Sequence, residues 1–553
     1  MAKTRTLNIR LLREGYTIEN AFSASFSPGA ERALERRPWI GIDGASLFIG
    51  QIYSNAPGWR TFLETGSPDL PAGIFTGGAG AVLFLPVANR VAAVCFGHVH
   101  IALNDDAFER QFGLKVTLNS VPRSQLRTLD LATPDAVTFQ KRVQASRDSD
   151  LQEFGVDMLR DLARVAGGTP SNQAFAYFVA GKDSLSITCE VEADTIQAKC
   201  AEILGTYKLT VYRREFVWVD NMRRVAEKDL VAKLDEALFN ALEDLRAGNT
   251  SDLHMAPPEI VNYTEGSELH YNGFGSRGKN FYSLSIEDYV SELNRCAFAG
   301  DVAEIKEGHT IKAKGDDEEE FSERWKVYNC FVFETTIGTG KAQQHFVLFA
   351  GTWYRVEKQF KDRVEAFFEA IPKANIIGAT ECRNERELIA DLKDTRPDLL
   401  KMDQEFVSPS GVKYANLEVC DFFSNDKKFI HLKDGHSSGP ISHLWAQGVV
   451  SADAFVSDAG FRKRLRAKVR SLGGGFEVLL PKSTEKVTRD SYGVVYGVMR
   501  KPYADGTLGL PFFSKVSLQA AAERIAQFGI PLSIELIAKP ASDDDAAEEG
   551  AGE

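Results

Sequence analysis

Between Lys413 and Val450 the pattern of apolar positions predicts two short strands and a helix. Leu417, Val419, Phe422 and Phe423 mark the first strand, and Phe429, Ile430 and Leu432 mark the second, with Ser424-Asn425-Asp426 as the polar turn between them. A Ser/Gly/Pro loop follows, and Ser442 reads as the N-cap of a helix that carries His443 and Gln447. Side chains alternate across a strand, so His431 and Lys433 fall on one side, with Asp421 closing the preceding strand. Around this stretch, residues 376–540 read as one unit with α–β–β–α–β–α–β order. A helix at 384–394 opens it and the two strands follow. A long helix at about 451–472 comes next, then strands at 476–480 and 491–499, a helix at 517–528 and a strand at 531–537.

The same reading divides the rest of the chain. Residues 1–165 form an N-terminal α/β domain with strands TLNIRLL, SLFIGQIY, GAVLFLPV and RVAAVCFGHVHIAL. A helix over 148–166 closes it, with Leu151, Phe154, Met158, Leu159 and Leu162 at helical intervals. Residues 166–255 give an α/β region: strand SLSITCEV, a helix near 195–204, strand TVYRREFVWVD, and a long helix at 227–247 with leucines along one face. Residues 256–375 form an α+β region built on a hairpin of WKVYNCFVFETT and HFVLFAGTWYRV. The expected class is therefore a multidomain α/β (α+β) protein with mixed sheets and flanking helices. The glycine-rich segment 73–81 lacks the Lys-Ser/Thr of a phosphate loop and reads as a flexible connection, and NGFGSRGK at 272–279, with Arg277, reads as a turn.

Composition adds apolar content for more than one core and contains no apolar run long enough for a membrane span. The seven cysteines are scattered and never form CxxC, which argues against a disulfide framework and a structural zinc site and suggests a reducing cytoplasm. The net charge of −12 speaks against nucleic acid only at first sight, because six acids and no base lie in the tail 541–553, expected to be disordered. Another acidic run occupies 316–320, whereas six of the ten residues 461–470 are basic. Arg462, Arg466 and Arg470 recur every fourth residue on one helix face, which is either a solvated surface or a face that tracks phosphates.

The chemistry gathers at Asp421, His431 and Lys433: a carboxylate, an imidazole and an ammonium at strand ends can hold a divalent metal and position a water. The plain alternative is a surface hairpin with polar ends. This ordering resembles the restriction-endonuclease-like PD-(D/E)xK nuclease fold. The resemblance implies Glu385 or Glu387 on the first helix and Asp421 on one strand. It places His431-Leu432-Lys433 at the acid-x-Lys position of the next strand and Gln447 on the following helix. It further implies metal ligation by Asp421, His431 and Glu418, a Mg²⁺ or Mn²⁺ cofactor, and catalytic roles for Asp421, His431, Lys433 and Gln447. His431 stands where the family has a second carboxylate, and Glu418 can replace that carboxylate only if the strand is irregular between 418 and 421.

Taken whole, the chain resembles a bacterial family described as sporadically distributed proteins of unknown function. The segments carrying this are FGLKVTLN (112–119), GKDSL (181–185), FVWVDN (216–221), LFAGTWYRVEKQF (348–360), EVCDFF (418–423), FIHLK (429–433), SHLWAQG (442–448) and LPFFSKVSL (510–518). The expectation is a cytoplasmic, metal-dependent nuclease or nuclease-like protein in bacterial defence, with nucleic acid as partner, Arg462, Arg466 and Arg470 on the phosphates, and no membrane contact. The alternative is a non-catalytic scaffold that binds nucleic acid or protein through a degenerate nuclease fold.

Overall fold

The computed structural model describes residues 3–540 apart from 56–74, 134–138, 155, 157–161, 226, 250, 260, 262–266, 276–278, 316–321, 340–341, 411–416, 436–437 and 503–505. Arg277, the acidic run 316–320 and the tail 541–553 lie outside the described residues. The protein is a mixed α/β chain with several sheets.

Ten strands between Thr4 and Glu190 form one antiparallel sheet. Its strands follow period-2 patterning: in Leu185–Glu190, buried Leu185, Ile187 and Cys189 alternate with half-buried Ser186 and Thr188. The sheet runs past residue 165, since Leu162–Gly168, Phe178–Gly181 and Leu185–Glu190 all belong to it. Among the described residues of the expected helix at 148–166 stand the end of strand Phe139–Ser149, a 3-10 turn at Leu151–Phe154 and strand Leu162–Gly168; Met158 and Leu159 lie outside the described residues. Close backbone approach selects the strand there, because a Cβ on Gly168 would meet the Gln125 carbonyl at 2.2 Å. Residues 76–81 of the glycine-rich segment are likewise strand, not a loose connection.

The central part holds a five-stranded sheet in the order Met222–Arg224, Thr352–Val356, Gln344–Phe349, Phe331–Ile337, His254–Met255. The helix Lys228–Arg246 buries Leu234, Leu238 and Leu242. It also buries Asp235, whose carboxylate accepts the Tyr328 hydroxyl, the Trp353 indole N–H and the Lys306 ammonium at 2.6, 2.8 and 2.8 Å. The expected strand at 210–220 is a turn of helix, Tyr212–Glu215, followed by a 3-10 segment, Val217–Asn221. Each arm of the expected hairpin is split. The second breaks at Ala350-Gly351, both left-handed, where a Cβ on Gly351 would meet Asn329 Oδ1 at 2.1 Å.

The carboxyl-terminal sheet has the order Leu399–Lys401, Phe422–Ser424, Lys428–Asp434, Gly493–Arg500, Leu532–Ala538. The first three strands pair antiparallel and the last three parallel. Helix Glu385–Thr395 precedes the sheet, and Ser438–Ser457 and Ala459–Leu472 cross over to the fourth strand. Leaving aside Phe406–Val407 and Leu417–Glu418, which pair in a separate two-stranded sheet, the observed order is α–β–β–β–α–α–β–α–β. The expected αββαβαβ lacked the strand Leu399–Lys401, whose three residues are too short for a periodic signal. The FEVLL strand is a 3-10 turn, Phe476–Leu479. Ser442 lies inside a helix that starts at Ser438, so it is no N-cap, and the break before the basic helix is capped by Asp458, whose carboxylate accepts Gly460 and Phe461 N–H.

The parts share a core. Phe512, Phe513 and Val516 of helix Phe512–Gln527 cluster with Val332, Val347, Phe349 and Phe360 of the central part and with Leu162 of the first sheet. The carboxylate of Glu334 accepts the N–H groups of Phe512 and Phe513 at 2.7 and 3.1 Å. Among the described residues, no helix is long and apolar enough to cross a membrane.

Candidate metal centre

Asp421 is the node of the carboxyl-terminal sheet. Its N–H donates to Ile430 O at 2.9 Å, and its carbonyl accepts the N–H groups of Met402 and Asp403 at 2.7 and 3.0 Å. Its carboxylate accepts Leu432 N–H at 2.6 Å, continuing with a side chain the ladder that Phe422 and Phe423 make with main chain. The bonds to Asp421 O pin the turn 402–405, in which Gln404 is left-handed with φ 62°. Gln404 N–H in turn donates to Glu418 Oε1 at 2.7 Å, and Gln447 Nε2 donates to Glu418 Oε2 at 3.4 Å. Regular strand ends at Leu417–Glu418 and resumes at Phe422, so the irregularity that the alternation required is present.

These bonds bring three carboxylates together: Asp403, Glu418 and Asp421 each place an oxygen within 4.8 Å of the other two. Asp421 is buried, and burial pushes its carboxyl up to about 8; the Leu432 N–H pulls it down, and the negative charges of Glu418, Glu385 and Asp403 add to the rise. A divalent cation would remove that penalty by compensating the charge, and a donor set of oxygens alone suits Mg²⁺, Mn²⁺ or Ca²⁺.

Lys433 lies one residue beyond Leu432. Its ammonium is 2.9 Å from Glu385 Oε2, and Asp434 N–H reaches the same carboxylate at 3.3 Å. Of the two helix acids, Glu385 faces the site, whereas Glu387 accepts Arg383 N–H at 2.9 Å and caps its own helix. A cleft of about 610 Å³ opens beside this group, lined by Glu385 and Asp403 and by the bases Arg386, Lys393 and Lys401.

The remaining sequence candidates are placed differently. His431 is buried with its ring against Tyr496 and Nε2 3.4 Å from Ser451 Oγ, and burial drops its pKa to about 3. It is not in the carboxylate group, and Asp403 stands there instead. The His431 ring faces Ser451 of helix Ser438–Ser457. Arg462 is buried and donates to the Phe455 and Val456 carbonyls, both at 2.9 Å. Arg466 donates to Leu480 O, and Arg470 is exposed with its Nε 4.0 Å from Glu477. The three therefore do not form one open cationic face, because two point into the gap beside the preceding helix and the 476–480 turn. Arg464 and Lys468 of the same helix tie down Ser408 O and Glu405 at 2.7 and 3.0 Å, bracing the chain that leaves the Asp403 turn.

Sequence reasoning missed Asp403. Its only local signal is the apolar pair Leu399-Leu400 followed by a polar turn, a mark of a short strand end. No curated protein and no solved structure matches the chain. The model of a family of unknown function, DUF6119, matches residues 7–538, and the chain belongs to that family.

Proposed function

We propose that the carboxyl-terminal unit is a metal-dependent phosphodiesterase acting on nucleic acid, of the restriction-endonuclease-like kind. The observation that carries this reading is the meeting of Asp403, Glu418 and Asp421 within 4.8 Å, beside the Lys433–Glu385 pair. The helix-first order with three antiparallel strands before the crossover supports it. In this reading the three carboxylates hold the cation and Gln447 fixes the rotamer of Glu418. Lys433 stabilises negative charge on the phosphate, with Glu385 holding its ammonium in place. Arg386, Lys393 and Lys401 take the flanking phosphates in the cleft. A bound divalent metal supplies charge compensation and a more acidic water.

The test is cleavage of supercoiled DNA and of single-stranded RNA by the full chain with Mg²⁺ or Mn²⁺. Activity should vanish in EDTA, in Asp403→Asn and in Lys433→Met. A second reading, a scaffold without catalysis, is favoured by the internal use of the same groups: Asp421 supports Leu432 N–H and Lys433 is already paired. Nucleic-acid binding without cleavage in either metal decides for that reading.

A further inference from the structure

A second charged cleft lies far along the chain from the carboxylates, between the first sheet and the central part. It encloses about 450 Å³ and continues past Arg110, Arg224 and Gly351 into a second space of about 740 Å³. Several segments meet there. The turn after Phe178–Gly181 brings Lys182, strand Leu162–Gly168 brings Arg164, and Met222–Arg224 and Thr352–Val356 bring Arg224 and Tyr354 as cross-strand partners. Arg324 comes from strand Ser322–Lys326.

The acids of this cleft are already engaged. Asp183 accepts Arg110 Nη1 at 3.0 Å and Gln111 N–H at 2.8 Å, Asp105 pairs with Arg10, and Glu259 accepts the Trp325 indole N–H at 2.9 Å. Arg164 donates to the neutral Gln140 Oε1 at 3.1 Å and lies over Phe349, and three further cations are less well met. Among the described residues, Lys182 Nζ makes no hydrogen bond or ion pair, Arg324 only stacks on Trp325, and the ion pair of Arg224 is a 3.8 Å contact with exposed Asp106. Tyr354, whose hydroxyl has no hydrogen-bond partner among the described residues, stands amid Arg110, Arg164, Arg224 and Asp183. Desolvation by the cleft walls first, and then Arg164 beside Lys182 and Arg110 beside Arg224, lower the pKa values of Lys182 and Arg224, although Lys182 is exposed as a residue; Asp183 and Asp105 pull Lys182 back up, and Asp106 and Asp183 pull Arg224 back up. Cations gathered against their own repulsion, with the acids already engaged, form a site that an anion completes.

We propose that this cleft binds a chain of two or more phosphates, as in pyrophosphate or the phosphate chain of a nucleotide, through Lys182, Arg224 and Arg324, with Tyr354 and Asn329 as neutral hydrogen-bonding groups. The part that holds these side chains, about 450 Å³, favours a small ligand over a polymer, since pockets for single small molecules span roughly 300–1,000 Å³. The GKDSL and LFAGTWYRV segments, which have no part in the carboxylate centre, both line it. This site is independent of the phosphodiesterase reading.

The test is calorimetric titration of the full chain in EDTA, which keeps metal-bridged binding at the carboxylates out of the readout. The probes are ATP, ADP, AMP, pyrophosphate and a 12-nucleotide single strand. ATP, ADP and pyrophosphate should bind, with AMP weaker by about tenfold, or about 1.4 kcal/mol. Lys182→Ala and Arg324→Ala, both at exposed positions, should each weaken ATP binding several-fold, and the double variant more than tenfold, with unchanged circular dichroism. Absence of ATP and pyrophosphate binding overturns the proposal, as does wild-type affinity in the double variant. So does tight binding of the oligonucleotide alone, which would make the cleft a strand channel.

Discussion

The carboxylate of Asp421 accepts the N–H of Leu432 at 2.6 Å while lying in one group with two other acids. It is at once a sheet bond and a charge, and the two roles separate by substitution. Asp421→Asn keeps an acceptor oxygen and removes the buried charge. Burial pushes the wild-type carboxyl up to about 8 from the 3.8 of a free aspartate, so between those values the fold holds a proton that the unfolded chain has released. The Asp421 contribution to metal-free stability should therefore fall as pH rises from about 4 to 8, by an amount on the order of a few kcal/mol, and it is read as the change with pH in the difference between wild type and the Asn variant. Asp421→Ala also removes the titrating group but leaves the Leu432 N–H unsatisfied, so it should lie about 1–3 kcal/mol below Asp421→Asn at every pH. Urea denaturation in EDTA across pH reads both effects.

Divalent metal should raise the thermal midpoint of the wild type, with Mg²⁺, Mn²⁺ and Ca²⁺ all acting through oxygen ligands. Asp403→Asn should weaken Mn²⁺ binding by roughly tenfold or more, about 1.4 kcal/mol, in a direct calorimetric titration. His431→Gln should leave that affinity within about twofold. A loss equal to that of Asp403→Asn would return His431 to the ligand set.

His431 and His309 contribute to stability on the acid side. Burial lowers their pKa values from 6.5 to about 3 and about 4, so the fold refuses protons that the unfolded chain accepts. Their contribution is complete above pH 6.5 and is lost as pH falls below it, at about 2 kcal/mol per histidine near pH 5. His431→Gln should flatten the acid limb of the stability profile by roughly half. An unchanged limb would show that acid unfolding is governed by other groups.

Arg462 should behave as a structural residue and Arg470 as a surface one. Arg462→Ala leaves two carbonyls of the last turn of helix Ser438–Ser457 without their donor, and should cost about 1–3 kcal/mol in urea denaturation. Arg470→Ala should stay within about 0.5 kcal/mol. Equal, small losses would mean the guanidinium of Arg462 is readily replaced by water.

What the sequence showed was local. The strand Lys428–Asp434 and its turn partner Phe422-Phe423 follow from alternation around Ser424-Asn425-Asp426, and the helix Lys228–Arg246 follows from its leucine spacing. Asp403 was hidden because its place depends on main-chain bonds to Asp421 O, eighteen positions away, which no periodicity records. Leu151 and Phe154 kept helical spacing within a single 3-10 turn, while cross-strand pairing claimed 162–168. Spacing put Arg462, Arg466 and Arg470 on one face correctly; which way that face turned was decided by the neighbouring helix and the 476–480 turn.

The carboxylate of Glu334 at the start of helix Phe512–Gln527 has a practical outcome for anyone dissecting the chain. A fragment beginning near residue 376 would carry the complete sheet and the carboxylates, yet it would bare Phe512, Phe513 and Val516 and strand two N–H groups. Such a fragment should be prone to aggregation, and a lack of activity in it would say nothing about the carboxylates. The smallest unit worth purifying includes the central sheet, whose Glu334 and Phe360 finish the surface that a cut would open.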